Sequence, residues 1–152
     1  MSEKYMKVQK ILHGTVIDHI LPGTAFDVLR VLGLSSDRSM SILINSQSHK
    51  GGKKDIIKIE DVELSGEEAN RVALVSPLAT INIIVKGKVV KKFYAEAPEI
   101  VRGILSCSNP NCISNQKEPV TSEFKLGTDD GHRYVCTYCE RDIIDLAKRV
   151  RA

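Results

Sequence analysis

Tryptophan is absent from this 152-residue chain, and aromatic residues make up only 5% of it. Platforms on which nucleobases stack are therefore scarce, which weighs against a nucleic-acid-binding protein. No apolar run approaches the roughly 20 residues that a bilayer-crossing helix needs, which predicts a soluble chain. The opening MSEKYMKVQK is polar and lysine-rich, unlike a secretory leader, and predicts the reducing cytoplasm. Catalytic signatures are missing as well. The spacing of a phosphate loop does not occur around Lys50-Gly51-Gly52-Lys53-Lys54, and Cys136 follows Val135 rather than the proline of a zinc-deaminase motif. Net charge is small, at +3, and unevenly spread: 14 Lys+Arg stand against 11 Asp+Glu up to residue 98, and 8 against 8 after it. A charge-balanced C-terminal part is better suited to touching another protein than to gripping a phosphate backbone.

Cysteine is missing from the first 106 residues and then occurs four times, at Cys107, Cys112, Cys136 and Cys139. Each close pair sits on a loop short enough to aim two thiolates at one point, and two such loops close a tetrahedron around a metal ion. The expectation is one structural Zn(II) per chain, with iron the alternative that a four-sulfur site also accepts. A closed four-sulfur shell leaves no open coordination position, so it folds a domain without catalysing anything. A cytoplasmic setting argues against pairing the same residues as disulfides.

Upstream, the chain reads as short strands and helices with clear punctuation. Thr15 to Ile20 is β-branched and stops at Pro22-Gly23, which predicts a strand. Thr24 opens a helix with Phe26, Leu29 and Leu32 at helical spacing and Gly33 as its stop. Ser39 to Asn45 and Asp55 to Glu60 predict a strand hairpin, with Ile57 and Ile59 inward and Lys58 on the opposite face. Ser65-x-x-Glu68 is a capping box, followed by Ala69, Val72 and Ala73 on one helical face. Thr80 to Val85 and Lys88 to Phe93 are strands about a Lys86-Gly87 turn, and Arg141 to Arg151 reads as a short amphipathic helix with Ile144, Leu146 and Val150 facing the cysteines. The order predicts an α+β protein: a ferredoxin-like sandwich over residues 1–98, two helices on one face of an antiparallel sheet, and a zinc-ribbon-like β domain over 99–152.

The other face of that sheet is then uncovered, and Lys58, Lys88, Lys91, Lys92, Asn82 and Asp18-His19 are assigned to strands beside it. Lysines can neutralise a triphosphate and an aspartate can accept from ribose hydroxyls, so a nucleotide fits; lysines on a solvated sheet also serve plain solubility. Alternation along a strand predicts that Asp18 and His19 point to opposite faces, which argues against an acid–base dyad.

Several segments in order give the chain a family likeness: Gly14-Thr-Val-Ile-Asp-His-Ile20, Lys54-Asp-Ile-Ile-Lys-Ile-Glu60, Pro77-Leu-Ala-Thr-Ile-Asn82, Cys107-x4-Cys-Ile-Ser114 and Cys136-x-Tyr-Cys-Glu140. With this cysteine spacing, the chain resembles the regulatory chain of aspartate carbamoyltransferase over nearly its whole length. The resemblance implies a non-catalytic subunit in pyrimidine biosynthesis that binds CTP, ATP and UTP in its first domain and docks on the catalytic chain through its zinc domain. It implies a homodimer of regulatory chains within a dodecamer of six catalytic and six regulatory chains, with neither nucleic acid nor membrane as partner. It implies a nucleotide pocket of Val8, Gln9, Lys10, Ile11, Asp18, His19, Lys54, Lys58, Asn82, Ile84, Val89 and Lys92. Better-known bacterial members carry glutamate where Gln9 stands and tyrosine where Gly87 aligns, both on the base side. A zinc-ribbon nucleic-acid binder and a metalloenzyme are the competing readings. The first requires salt-sensitive binding to DNA or RNA, and the second an open metal position.

Overall fold

A computed structural model describes residues 10–34, 37–49, 51–117, 120–128 and 133–151. Five strands form the first sheet: β1 (Gly14–Ile20), β2 (Met40–Gln47), β3 (Lys53–Glu60), β4 (Thr80–Val85) and β5 (Lys88–Tyr94), in the spatial order β2-β3-β1-β4-β5 and antiparallel at every pairing. Helices α1 (Ala25–Leu32) and α2 (Gly66–Val72) interrupt the strands in the order β1-α1-β2-β3-α2-β4-β5. This is the α+β sandwich the sequence predicts, with β5 as the added edge. The alternation of β3 places Ile57 and Ile59 in the interior, where they meet Ile17 and Ile20 of β1 and Ile81 and Ile83 of β4. Ala25, Val28, Val31 and Leu32 of α1 and Ala69 and Val72 of α2 cover them. Each isoleucine withdrawn from water contributes about 1.5–3 kcal/mol, so this layer is the main driving force for the fold.

The capping box is present as read. The Glu68 N–H donates to Ser65 Oγ at 3.1 Å, and the Ser65 N–H donates to Glu68 Oε1 at 3.1 Å. At α1 the sequence misleads in two places. The Thr24 hydroxyl donates backward to Leu21 O at 2.7 Å instead of capping, and Phe26 is exposed while Val28 and Val31 hold the buried stripe. The capping duty passes to Asp55, whose carboxylate accepts from the Ala25 N–H at 3.0 Å.

The second sheet is small: β6 (Ile100–Arg102), β7 (Glu123–Leu126) and β8 (Tyr134–Cys136), in that order. Phe124, fully buried, is its central side chain, with Val101, Leu105, Tyr134 and Val150 around it. The C-terminal segment is not the helix expected over Arg141 to Arg151. A single 3₁₀ turn, Leu146–Arg149, follows Asp145 at φ 54°, and Ile144 is exposed. The segment earns its place through backbone bonds instead: the Ser106 N–H donates to Arg149 O at 2.8 Å, and the Arg151 N–H donates to Ile104 O at 2.7 Å. No helix among the described residues is long and apolar enough to cross a membrane.

Candidate functional site

Cross-strand partners share a face, so the register defines what the uncovered side of the first sheet presents. Lys58, Val16, Asn82 and Lys92 pair in succession and form one row across four strands. A second row runs from Asp18 through Thr80 to Tyr94. Lys88 and Lys91 do not belong here, contrary to the sequence reading. Their partners are Val85 and Ile83: alternation with Lys92 puts Lys91 on the helix side, where its ammonium lies over the Phe93 ring at 5.3 Å, and the bulge between the Ile83 and Ile84 pairings turns Lys88 to that side as well.

The expected opposition of Asp18 and His19 is also corrected. His19 has φ 58°, and the β1–β3 register slips between Ile17 and Ile20. The bulge adds one residue between two inward isoleucines, so Asp18 and His19 both lie outside the core. They still do not form a dyad. Asp18 Oδ1 accepts the backbone N–H of His19 at 2.7 Å, and the ring Nδ1 faces Thr80 Oγ1 at 3.1 Å. Asp18 instead pairs with Lys54, whose Nζ stands 2.9 Å from Oδ1 and 3.2 Å from Oδ2. Burial pushes the Asp18 carboxyl up, but the Lys54 ammonium and the His19 N–H outweigh it and hold the group below its ordinary value.

A recess of ≈ 330 Å³ opens beside this pair, lined in part by His19, Lys53, Lys54, Leu78, Thr80 and Tyr94. Lys53, Thr80 and Tyr94 were not singled out from sequence, though Tyr94 lies two residues beyond Lys92 on the same face of β5 and period-two reading reaches it. Of the remaining sequence candidates, Ile84 is buried and Val89, its partner in the register, is exposed. Ile11 is buried and Lys10 exposed, and Leu12 O next to them accepts the Gly87 N–H at 2.9 Å, which brings this segment to the β4–β5 turn. Val8 and Gln9 lie outside the described residues.

The four cysteine sulfurs lie within 4.8 Å of one another. Cys107 to Cys139 and Cys112 to Cys136 are each 3.7 Å apart. A tetrahedral ion with metal–sulfur bonds of about 2.3 Å separates its sulfurs by about 3.8 Å, so the cluster has the dimensions of a four-thiolate site. Donors prepare it for thiolate. The Asn109 N–H points at Cys107 Sγ at 3.4 Å, and Ser114 Oγ lies 3.2 Å from Cys112 Sγ. Burial raises both thiols, to about 12 for Cys107, but at Cys112 the Ser114 hydroxyl and N–H overcome it and bring the thiol down to about 7. The loop Cys107–Cys112 is held from behind by Asn115, whose Nδ2 donates to Cys107 O at 2.9 Å and Asn109 O at 2.8 Å.

An open recess bearing lysines on one sheet and a separate cluster of four thiolate donors, enough to close a tetrahedral shell, define a metal-binding chain with a second candidate ligand site. Residues 6–96 match the family model described as the aspartate carbamoyltransferase regulatory chain, allosteric domain, and residues 99–145 match that chain's metal binding domain. The chain is 48% identical to the aspartate carbamoyltransferase regulatory chain of Methanocaldococcus jannaschii, covering 90% of this chain and 91% of that one. It is 49% identical to the same chain of Methanosarcina barkeri, over 94% of each. Against that of Pyrococcus horikoshii it is 48% identical, over 90% of this chain and 91% of the other. The protein belongs to the family of aspartate carbamoyltransferase regulatory chains, non-catalytic partners of the catalytic chains.

Proposed function

We propose that residues 1–98 form a nucleotide-sensing domain for CTP, ATP and UTP, and that residues 99–152 form a zinc domain that docks on the catalytic chain. The observation that carries the first half is the bidentate Asp18–Lys54 pair beside His19, Thr80 and the Lys58–Asn82–Lys92 row. Strand spacing gives these rows a footprint of about 14 Å across the strands and about 7 Å along them, and it combines ammonium groups for phosphates with a carboxylate for ribose hydroxyls. Asp18 meets the ribose, Lys58 and Lys92 meet ribose and phosphates with Lys54 assisting at the phosphates, and His19 lies near the phosphates or the base. Val8, Gln9, Lys10, Ile11, Asn82, Ile84 and Val89 line the remaining pocket, and Gln9 and the side-chain-free turn at Gly87 set the preference among bases.

Zinc is the ion we assign to Cys107, Cys112, Cys136 and Cys139, because a four-thiolate site with hydrogen-bonded sulfurs suits a redox-inert borderline-soft ion. It supplies the folding free energy of the small sheet, whose apolar core is too slight to stand alone. In the assembly we propose, regulatory chains pair as dimers, and three dimers bridge two catalytic trimers in the cytoplasm. A nucleotide acts by contacting two quaternary states unequally, and a coupling of about 1–3 kcal/mol changes aspartate affinity about five- to 150-fold. Titration calorimetry of the metal-loaded chain with CTP, ATP and UTP tests the pocket. Micromolar to millimolar binding weakened by Lys92→Ala supports it, and heats indistinguishable from dilution for all three nucleotides refute it. Mixing with the cognate catalytic chain tests the docking; absence of a larger complex refutes that half.

A further inference from the structure

Asp55 is fully buried and lies beside Lys54 on β3. Its carboxylate accepts three backbone N–H groups: Gly23 at 2.9 Å and Ala25 at 3.0 Å through Oδ2, and Asn45 at 2.9 Å through Oδ1. The strand that grips Asp18 is thus bound to the first residue of α1. Eight helical residues carry that attachment about 12 Å to the other end of α1. There Arg30 reaches out of the first domain, and its Nη2 donates to Ala147 O at 3.0 Å while Nη1 meets Asp27 at 3.3 Å. Ala147 sits in the 3₁₀ turn whose Arg149 O accepts the Ser106 N–H, one residue before Cys107. On the far side of that cysteine, Ser108 Oγ accepts the Ile144 N–H at 3.2 Å. A continuous path of bonded groups therefore runs from the Asp18–Lys54 pair to the backbone on both sides of a metal ligand.

We propose that Arg30 is a positioning residue for regulation: it holds the last turn of α1 to the C-terminal segment, so that occupancy of the nucleotide pocket alters the orientation of the cysteine-bearing unit. This rests on the pocket reading given above. An anionic occupant competes with Asp18 for the Lys54 ammonium, and the neighbouring Asp55 clamp passes the adjustment of β3 to α1 as a rigid body. Arg30 touches neither the recess nor a cysteine, so its loss leaves nucleotide binding and metal binding in place.

The test uses the full metal-loaded chain assembled with its catalytic chain. Nucleotide affinity is measured by calorimetry, and half-saturating aspartate is measured with and without CTP or ATP, for the unmodified chain, Arg30→Ala, Arg30→Lys and Asp27→Ala. In Arg30→Ala, nucleotide affinity and maximal rate stay within about twofold, while the nucleotide-induced ratio of half-saturation values shrinks toward unity, by about two- to tenfold, the range one hydrogen bond supports. Arg30→Lys, which keeps a cationic donor for the carbonyl, restores part of the ratio, and Asp27→Ala retains it. A full ratio in Arg30→Ala overturns the proposal, as does a loss of nucleotide binding in that variant or an equal effect from Asp27→Ala. An unmodified chain that binds no nucleotide overturns the pocket reading itself, and this proposal with it, before any variant is compared.

Discussion

Asp55→Asn isolates what a single buried carboxylate does for the first domain. Asparagine keeps the shape but replaces one oxygen by an NH2 group. If its remaining oxygen takes the place of Oδ2, the Gly23 and Ala25 N–H groups stay bonded and the Asn45 N–H faces another donor; the reverse orientation strands two. The better orientation loses one charge-assisted hydrogen bond, about 1.5–3 kcal/mol, and a negative charge at the start of α1, about 0.3–1 kcal/mol. The expected loss is therefore about 2–4 kcal/mol, short of unfolding a domain of ordinary stability. Urea denaturation followed by circular dichroism reads it directly: with a slope of about 2 kcal/mol per molar, the midpoint falls by about 1–2 M at unchanged slope. Asp55→Ala, which leaves all three N–H groups without an acceptor, falls further. A midpoint within about 0.3 M of the parent for both variants would show that these bonds contribute little, and the clamp reasoning fails.

Chelating the metal, or replacing Cys112 by Ser, is expected to open the second sheet while the first stays folded. Limited proteolysis then cuts after residue 98, and assembly with the catalytic chain is lost while nucleotide binding persists; equal assembly by either preparation refutes it. Asp18 has a folded-state pKa below its unfolded value, so its stabilising contribution is complete above about pH 5 and disappears as pH falls through the lowered pKa. The stability difference between the parent and Asp18→Asn is accordingly present at pH 7 and smaller at pH 3, and a difference unchanged across that interval contradicts the ion-pair account. Gly14 has φ 144°, and a Cβ there would stand 2.1 Å from Ile59 O. Gly14→Ala forces β1 away from β3 and is expected to destabilise by about 3 kcal/mol or more in thermal melts, whereas a melting temperature within about 2 °C of the parent contradicts this contact.

Chemical type and local order were legible in the residues themselves. Period-two alternation in Asp55 to Glu60 and the reciprocal Ser65 and Glu68 pair are local matters, decided within a few residues, and the structure has them as read. The cysteine spacing likewise fixes which loops carry thiols, and their convergence to within 4.8 Å follows once two short loops meet. Period counting failed where long-range partners compete with local ones. Phe26 has helical spacing but faces solvent, and Thr24 looks like a cap but gives way to a carboxylate 31 positions further along the chain. Alternation alone sets Lys91 opposite Lys92, but the side that Lys88 takes depends on a bulge that no reading of β5 alone resolves. The bulge against β4 puts Lys88 on the helix side with Val85, and Val89 on the other side with Ile84.

The sequence by itself determined the fold class and the thiolate set, because strand alternation, capping and cysteine spacing are short-range and chemically specific, and its motifs in order carried the family resemblance. The tertiary structure alone decided that Asp18 and His19 share a side, that Lys54 rather than His19 answers Asp18, and that Arg30 reaches the C-terminal segment. Each of these depends on a register slip or on contacts between residues tens to more than a hundred positions apart. Such contacts are selected by the packing of whole sheets and helices, and no local pattern encodes them.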